Sequence, residues 1–349
     1  MPETADRTLT QRHLNRALLA RQMLLERGRM ALPRALERIC GIQAQYAPSM
    51  YVGLWTRLEG FRRDHLTRAL ERRTVVQGTL MRTTIHLVSA GDYWSMALAV
   101  RDARRQWWLK SAQEKADTRD LAATARKVRR RLAEGPMRHA EIEELAGRGA
   151  SRVVGVGLWI DLVRVPPSGT WDRRRADQYA AARDWLGPTE VSVEEGLEFL
   201  VRRYLGGFGP ATRQDVASFA GLPVREIAPV LERLELRRFR GEDGQELIDL
   251  PRAPLPDPET PAPVRFLPTW DSTLLAHARR TGILPEPYRA RVFNTRNPQS
   301  LSTFLVDGVV AGSWRYENGR VRIDPFEPLD PAVRRDLAEE AERLTEFHA

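Results

Sequence analysis

The sequence predicts a mainly α protein with β-hairpin wings: three tandem winged-helix units followed by a C-terminal β-rich element. Three observations lead there. Residues 135–147 (GPMRHAEIEELAG) recur in pattern at 209–221 (GPATRQDVASFAG), and a repeated supersecondary unit dictates architecture. Each copy is preceded by an apolar-periodic helix and followed by a second helix and two alternating runs, the order of a winged helix. After residue 250 the composition changes, first to a proline-rich stretch and then to short β-like runs.

In the first unit, residues 9–27 and 32–40 have helical periodicity, and Gly41 can end the second helix. Asp64 is placed to cap a helix over 66–72. Residues 75–77 and 82–88 pair as a hairpin around Gly78. Ser89 with Asp92 forms a capping box for a connecting helix, which carries the arginines before Trp107-Trp108. In the second unit, helices over 121–133, 137–145 and 151–161 lead to a strand over 162–165 and the turn Pro166-Pro167-Ser168-Gly169. In the third, a helix over 193–205 is stopped by Gly209-Pro210, and Thr212 caps a short helix with Asp215 at its third position. Gly221 ends that helix, and Pro223 opens another through residue 234. Strands over 236–240 and 245–250 meet at Glu242-Asp243-Gly244. In the tail, strands over 303–306, 309–315 and 320–324 turn at Asp307-Gly308 and Asn318-Gly319. Asp330-Pro331 starts a last helix to residue 347. The expected divisions are therefore 1–115, 116–190, 191–250 and 251–349.

The 349 residues are 42% apolar and 29% charged, a globular composition with room for a core. No run approaches the roughly 18 apolar residues of a membrane span, and the N-terminus lacks a signal-peptide pattern. A soluble, cytoplasmic monomer with no membrane partner is expected. Cys40 is the only cysteine, so an intrachain disulfide and a thiolate zinc site are excluded. The six histidines show no metal-ligand spacing, and no P-loop, Rossmann glycine pattern or G-x-S-x-G elbow occurs. No cofactor and no metal are expected. The net charge is +9, carried almost wholly by arginine, since only Lys110, Lys115 and Lys127 are lysines. The cations cluster, which points to a polyanionic partner, nucleic acid before others. Arg173, Arg174 and Arg175 after the second wing, and Arg279 at the head of a later cluster, are candidate phosphate contacts.

Chemistry is sought in residues 41–48, Gly-Ile-Gln-Ala-Gln-Tyr-Ala-Pro. Between Gly41 and Pro48 the chain should be extended, because Pro48 disfavours helix at Ala47. Residues two apart then point the same way, so Gln43 and Gln45 direct two amides into one space. The competing reading gives them to helix capping or backbone phosphate. Arg82 and His86 share a face of the predicted strand, where Arg82 can hold a phosphate and His86 is either a site residue or a satisfied core histidine. Trp107-Trp108 either stack on bases or pack the core. Asp271 caps a helix through His277.

Taken together these motifs resemble the bacterial winged-helix DNA glycosylases of the AlkZ/YcaQ type. The resemblance rests on Gly41-Ile42-Gln43-Ala44-Gln45, on residues 51–55 (YVGLW) and on residues 81–88 (MRTTIHLV). It continues through 162–171 (LVRVPPSGTW), 208–212 (FGPAT) and 266–271 (FLPTWD), nearly the whole chain. It implies a C-shaped arrangement of the three units and excision of N-alkylated purines, with some members unhooking interstrand crosslinks. It also implies a Gln-aliphatic-Gln catalytic motif, matched here by Gln43 and Gln45, and it strengthens a site role for Asp271. The chain departs from the family at Thr83, where glycine is usual, and at Trp270, where Phe or Tyr is usual. The expected partner is double-stranded DNA carrying alkylated or crosslinked purines, in the cytoplasm at the nucleoid. The chemistry expected is monofunctional, since no lysine lies beside the motif to form a Schiff base. The rival reading is a non-enzymatic winged-helix DNA-binding protein such as a regulator. A third is a protein-binding scaffold.

Overall fold

The computed structural model describes residues 7–111, 118–147, 150–278, 282–294 and 299–349. Three winged-helix units share one order: helix, short strand, helix, helix, two strands. In the first unit these are Leu32–Ile39, Ile42–Gln43, Ala47–Trp55, Arg63–Glu71, Val75–Thr79 and Ile85–Ser89. In the second they are Thr118–Leu132, Met137–Arg138, His139–Ala146, Ala150–Ile160, Leu162–Arg164 and Gln178–Ala181. In the third, a single bridge from Ala211 to Ile248 stands for the short strand between helices Val193–Phe208 and Arg213–Ala220. Helix Val224–Arg233 and strands Arg237–Gly241 and Glu246–Asp249 complete it.

Local chemistry sets most boundaries. Thr212 accepts from the Asp215 backbone N–H at 3.1 Å while Asp215 reaches back to the Thr212 N–H at 2.9 Å, the reciprocal cap expected from sequence. Ser89 caps helix Ala90–Ala99 by accepting from the Asp92 N–H. Pro331 opens the last helix, Pro331–His348, behind Asp330. Several expectations need correction. Asp64 lies inside the first turn of its helix, paired with Arg68 at 2.7 Å, and Arg62 occupies the cap position. Helix Ala47–Trp55 begins at Ala47 despite Pro48, because proline is tolerated in a first helical turn, where its missing N–H has no intrahelical partner. The N-terminal helix covers only Gln11–Arg21, ending before Met23 at φ 55°. Its predecessor Thr8–Leu9 is a strand parallel to the third wing.

The first two wings fuse. Gln77 pairs with Arg164 and Gly78 with Val163, making one six-stranded antiparallel sheet from both units. Gly78 is therefore an interior strand residue, and glycine is needed because a Cβ there would stand 2.6 Å from the Tyr93 ring. The connecting segment is two helices, Ala90–Ala99 and Arg101–Ser111. Trp108 is buried in the second unit's core while Trp107 is 55% exposed. The C-terminal element is a four-stranded sheet, Arg265–Leu267, Thr303–Val306, Val309–Glu317 and Arg320–Pro325, with helix Pro331–His348 on it. No described helix is long and apolar enough to cross a membrane.

Candidate active site

Gln43 ends the short strand of the first unit and lies antiparallel to Ile85–Ser89, opposite His86. Gly41 makes that entry possible: at φ 76° it turns the chain out of helix Leu32–Ile39, and a Cβ would sit 3.0 Å from the Leu87 carbonyl oxygen. The chain bends at Gln45, so strict alternation is not what unites the pair. The amides meet through a hydrogen bond, Gln43 Nε2 donating to Gln45 Oε1 at 2.7 Å. Gln43 is buried and Gln45 exposed, so the pair runs from the protein interior to solvent.

Arg82 fixes which way the amides face. Its Nη2 donates to Gln43 Oε1 at 3.0 Å, and its Nη1 donates to the Phe219 carbonyl at 2.9 Å. Arginine only donates, so the Gln43 atom it meets must be the oxygen. The Gln43 nitrogen then faces Gln45 and must find an oxygen there. The result is a one-way chain, Arg82 to Gln43 to Gln45. Among the described residues each amide oxygen accepts one hydrogen bond and keeps a second lone pair, and Gln45 stands at the exposed end.

The position of Arg82 differs from expectation. It does not share a strand with His86 but sits in the 3-10 turn Met81–Thr83 at φ 53°, followed by Thr83 at φ 57°. Two consecutive left-handed residues reverse the hairpin and carry the guanidinium over the Phe219 ring at 5.0 Å. Gly221 permits the approach, since a Cβ there would be 3.1 Å from the Arg82 Cα. A cavity of about 210 Å³ lies beside the turn, lined by Arg82, Thr83, Arg104 and Gly221 with Trp107 at its rim.

His86 is fully buried, and its Nδ1 lies 3.1 Å from the Thr84 carbonyl, which can only accept. Nδ1 therefore carries the proton, and Nε2 has no partner among the described residues. Burial and the Arg82 charge push its pKa down to about 3, so it stays neutral at physiological pH.

Asp271 caps only the single turn Ser272–Leu274, not a helix through His277. Its carboxylate meets Arg57 on both oxygens, at 2.8 and 2.9 Å, with both side chains 1% exposed. Arg57 follows helix Ala47–Trp55, and Ser49 on that helix bonds Thr269 at 2.7 Å. Asp271 thus braces the helix that begins directly after the Gln motif, without a bond to either glutamine.

Arg173, Arg174 and Arg175 are exposed on the second wing. Arg174 lies over Trp171 at 5.7 Å, with Nη1 3.5 Å from the Tyr46 hydroxyl, next in sequence to Gln45. Arg175 pairs with Asp177 at 3.3 Å, while Arg173 makes no ion pair among the described residues. The wing therefore brings free positive charge to the exposed end of the amide chain. Arg279 lies outside the described residues. Tyr46 and Trp171 lie within the quoted segments 41–48 and 162–171 but carry no catalytic signature of their own, and the Phe219 carbonyl carries none at all. No group of described residues could hold a metal ion.

The model of the AlkZ-like DNA glycosylase family matches residues 36–347. Among solved structures, the DNA glycosylase AlkZ of Streptomyces sahachiroi superposes with a TM-score of 0.83 at 17% identity, covering 98% of this chain and 97% of that one. A search of curated proteins found no match.

Proposed function

Because the chain belongs to the AlkZ-like DNA glycosylase family, and is in that sense a DNA-binding repair enzyme, we propose that it hydrolyses the N-glycosidic bond of cationic N-alkylated purines in duplex DNA, N7-alkylguanine and N3-alkyladenine, interstrand crosslinks included. Gln43 and Gln45 orient the attacking water. The observation that carries this reading is the directed amide chain, which ends on the carbonyl oxygen of an exposed glutamine that accepts a single hydrogen bond among the described residues.

An amide takes no proton near neutral pH, so the site offers no general base of the usual kind. It offers fixed dipoles. The Gln45 oxygen accepts a hydrogen bond from water and aims that water at C1′. As the C1′–N9 bond breaks, its electron pair returns to the purine and cancels the ring's positive charge, so the leaving group needs no acid. Positive charge builds on the sugar, where the carbonyl dipoles face it. Water oxygen bonds to C1′, its extra proton goes to solvent at the exposed end, and an abasic site remains. Neutral undamaged bases depart poorly and are spared. Arg173 and Arg174 supply phosphate contacts beside the site. Arg82 acts through Gln43 by holding its amide. Family membership displaces the regulator and scaffold readings.

The test is base release from duplexes carrying N7-methylguanine, an N7-linked crosslink or a neutral lesion such as uracil, followed by alkaline cleavage. Strand breaks at the cationic lesions and none at uracil are expected. Efficient uracil release would overturn the substrate assignment.

A further inference from the structure

The second winged helix lacks a usable reading helix. In winged-helix and helix-turn-helix modules the last helix normally lies in the DNA major groove. Here that helix, Ala150–Ile160, is covered from two sides. Val153, Val156 and Ile160 pack into its own unit. On another side the Trp108 ring lies so close to Gly155 that a Cβ would stand 2.3 Å away, and the indole N–H donates to the Ser151 carbonyl at 3.0 Å. Arg105 adds a bond to the Leu158 carbonyl at 3.2 Å and stacks on Trp159 at 5.1 Å. The helix carries one charged residue, Arg152, which is paired with Asp120.

The unit's first helix has the opposite character. Arg126, Lys127, Arg129 and Arg130 on Thr118–Leu132, with Arg183 on the short helix Ala182–Leu186, line a groove of about 630 Å³ in which Asp184 is the one carboxylate. All five cations are exposed, and among the described residues none makes an ion pair. Five cations against a single carboxylate around one concavity repel each other. Such a group is relieved by an anion of regular high charge density.

We propose that this groove is a second DNA-backbone site, through which the second winged helix grips duplex phosphates with its first helix instead of its last. Arg126 and Arg130 are one helical turn apart, about 6 Å along the axis, so they share a face and present parallel forks to phosphate oxygens. The proposal rests on DNA as substrate, but not on the excision chemistry.

The experiment is equilibrium binding of a fluorescent undamaged duplex by full-length protein across a salt series, comparing the parent with R126Q/K127Q/R130Q. Each lost phosphate contact lowers the log–log salt slope by about 0.9, so a drop of two to three is expected, with weaker binding at every salt concentration. R334Q/R335Q, two exposed arginines on the C-terminal helix, should keep the parental slope. An unchanged slope in the triple variant, or an equal drop in the C-terminal control, overturns the proposal. So does a triple variant that keeps the duplex slope but loses binding to anionic phospholipid vesicles. Because binding is read without catalysis, an inactive protein with the expected slope change would refute the excision reading and leave the groove standing.

Discussion

Replacing Asp271 with Asn takes one charge out of a pair shielded from water on both sides, each partner 1% exposed. Asp271 Oδ1 accepts from Arg57 Nη2, from the Thr273 N–H and from the Thr273 hydroxyl, and Oδ2 accepts from Arg57 Nη1. Asn keeps one acceptor but turns an NH2 group toward an Arg57 donor, leaving the guanidinium buried and uncompensated. Breaking a buried pair in this way costs about 3–5 kcal/mol. Exchanging both partners for apolar residues of similar volume, as in R57M/D271L, should cost much less. The pH dependence follows from the carboxyl group. Burial alone raises its pKa, but Arg57 and the Thr273 donors outweigh burial and hold it below the usual value. A depressed folded pKa stabilises above the unfolded value, about 3.9, and that stability disappears as pH falls through the folded value. The gap between parent and D271N, measured by urea unfolding, should therefore be full at neutral pH and shrink below about pH 4. A gap under about 1 kcal/mol at neutral pH would refute the bracing account. So would parental stability combined with a hundredfold loss of excision, which would place Asp271 in the reaction.

Thr83 adopts a left-handed conformation that costs a branched residue about 1–2 kcal/mol; against the added flexibility of glycine, T83G should raise stability by about 0.5–1 kcal/mol in thermal melts, and a lower melting temperature would show that the threonine makes a compensating contact. Excision under single-turnover conditions should be flat between about pH 5.5 and 8, because the responsible amides do not titrate and His86 stays neutral down to about 3; an inflection near 6.5 would expose an unrecognised acid or base.

Those parts of the fold governed by neighbours in sequence were legible. The Thr212–Asp215 and Ser89–Asp92 caps, the Asp-Gly and Asn-Gly turns and the two echoing units all follow from local rules. What escaped depends on distant pairing. Leu9 reads as the start of a helix until the third wing, more than 200 residues away, offers Thr8–Leu9 a strand edge. The fusion of two wings at Gln77 and Arg164 leaves no mark in either strand's alternation. Strand Arg265–Leu267 is too short to show a period.

The site divides in the same way. The spacing of Gln43 and Gln45 points to amides that meet, as they do at 2.7 Å, but a bend at Gln45 takes the place of the extended run from which that meeting is expected. The turn at Arg82 is hidden because residues 82–88 are rich in β-branched residues that favour strand and contain no glycine to announce a reversal. Its left-handed backbone is tolerated because the third unit over-determines it, through the Phe219 carbonyl and the close approach of Gly221. Arg57 lies 214 residues from Asp271, and nothing near either one signals the other.

The most direct measurement of the central claim is the single-turnover release of N7-methylguanine from duplex DNA by Q43A, Q45A and the double variant. Loss of one preorganised group of this kind costs about 10²–10³ in rate, and groups acting as a chain lose together. Each single variant should therefore fall by that factor, with the double variant little worse. Parental rates in both single variants would contradict the account.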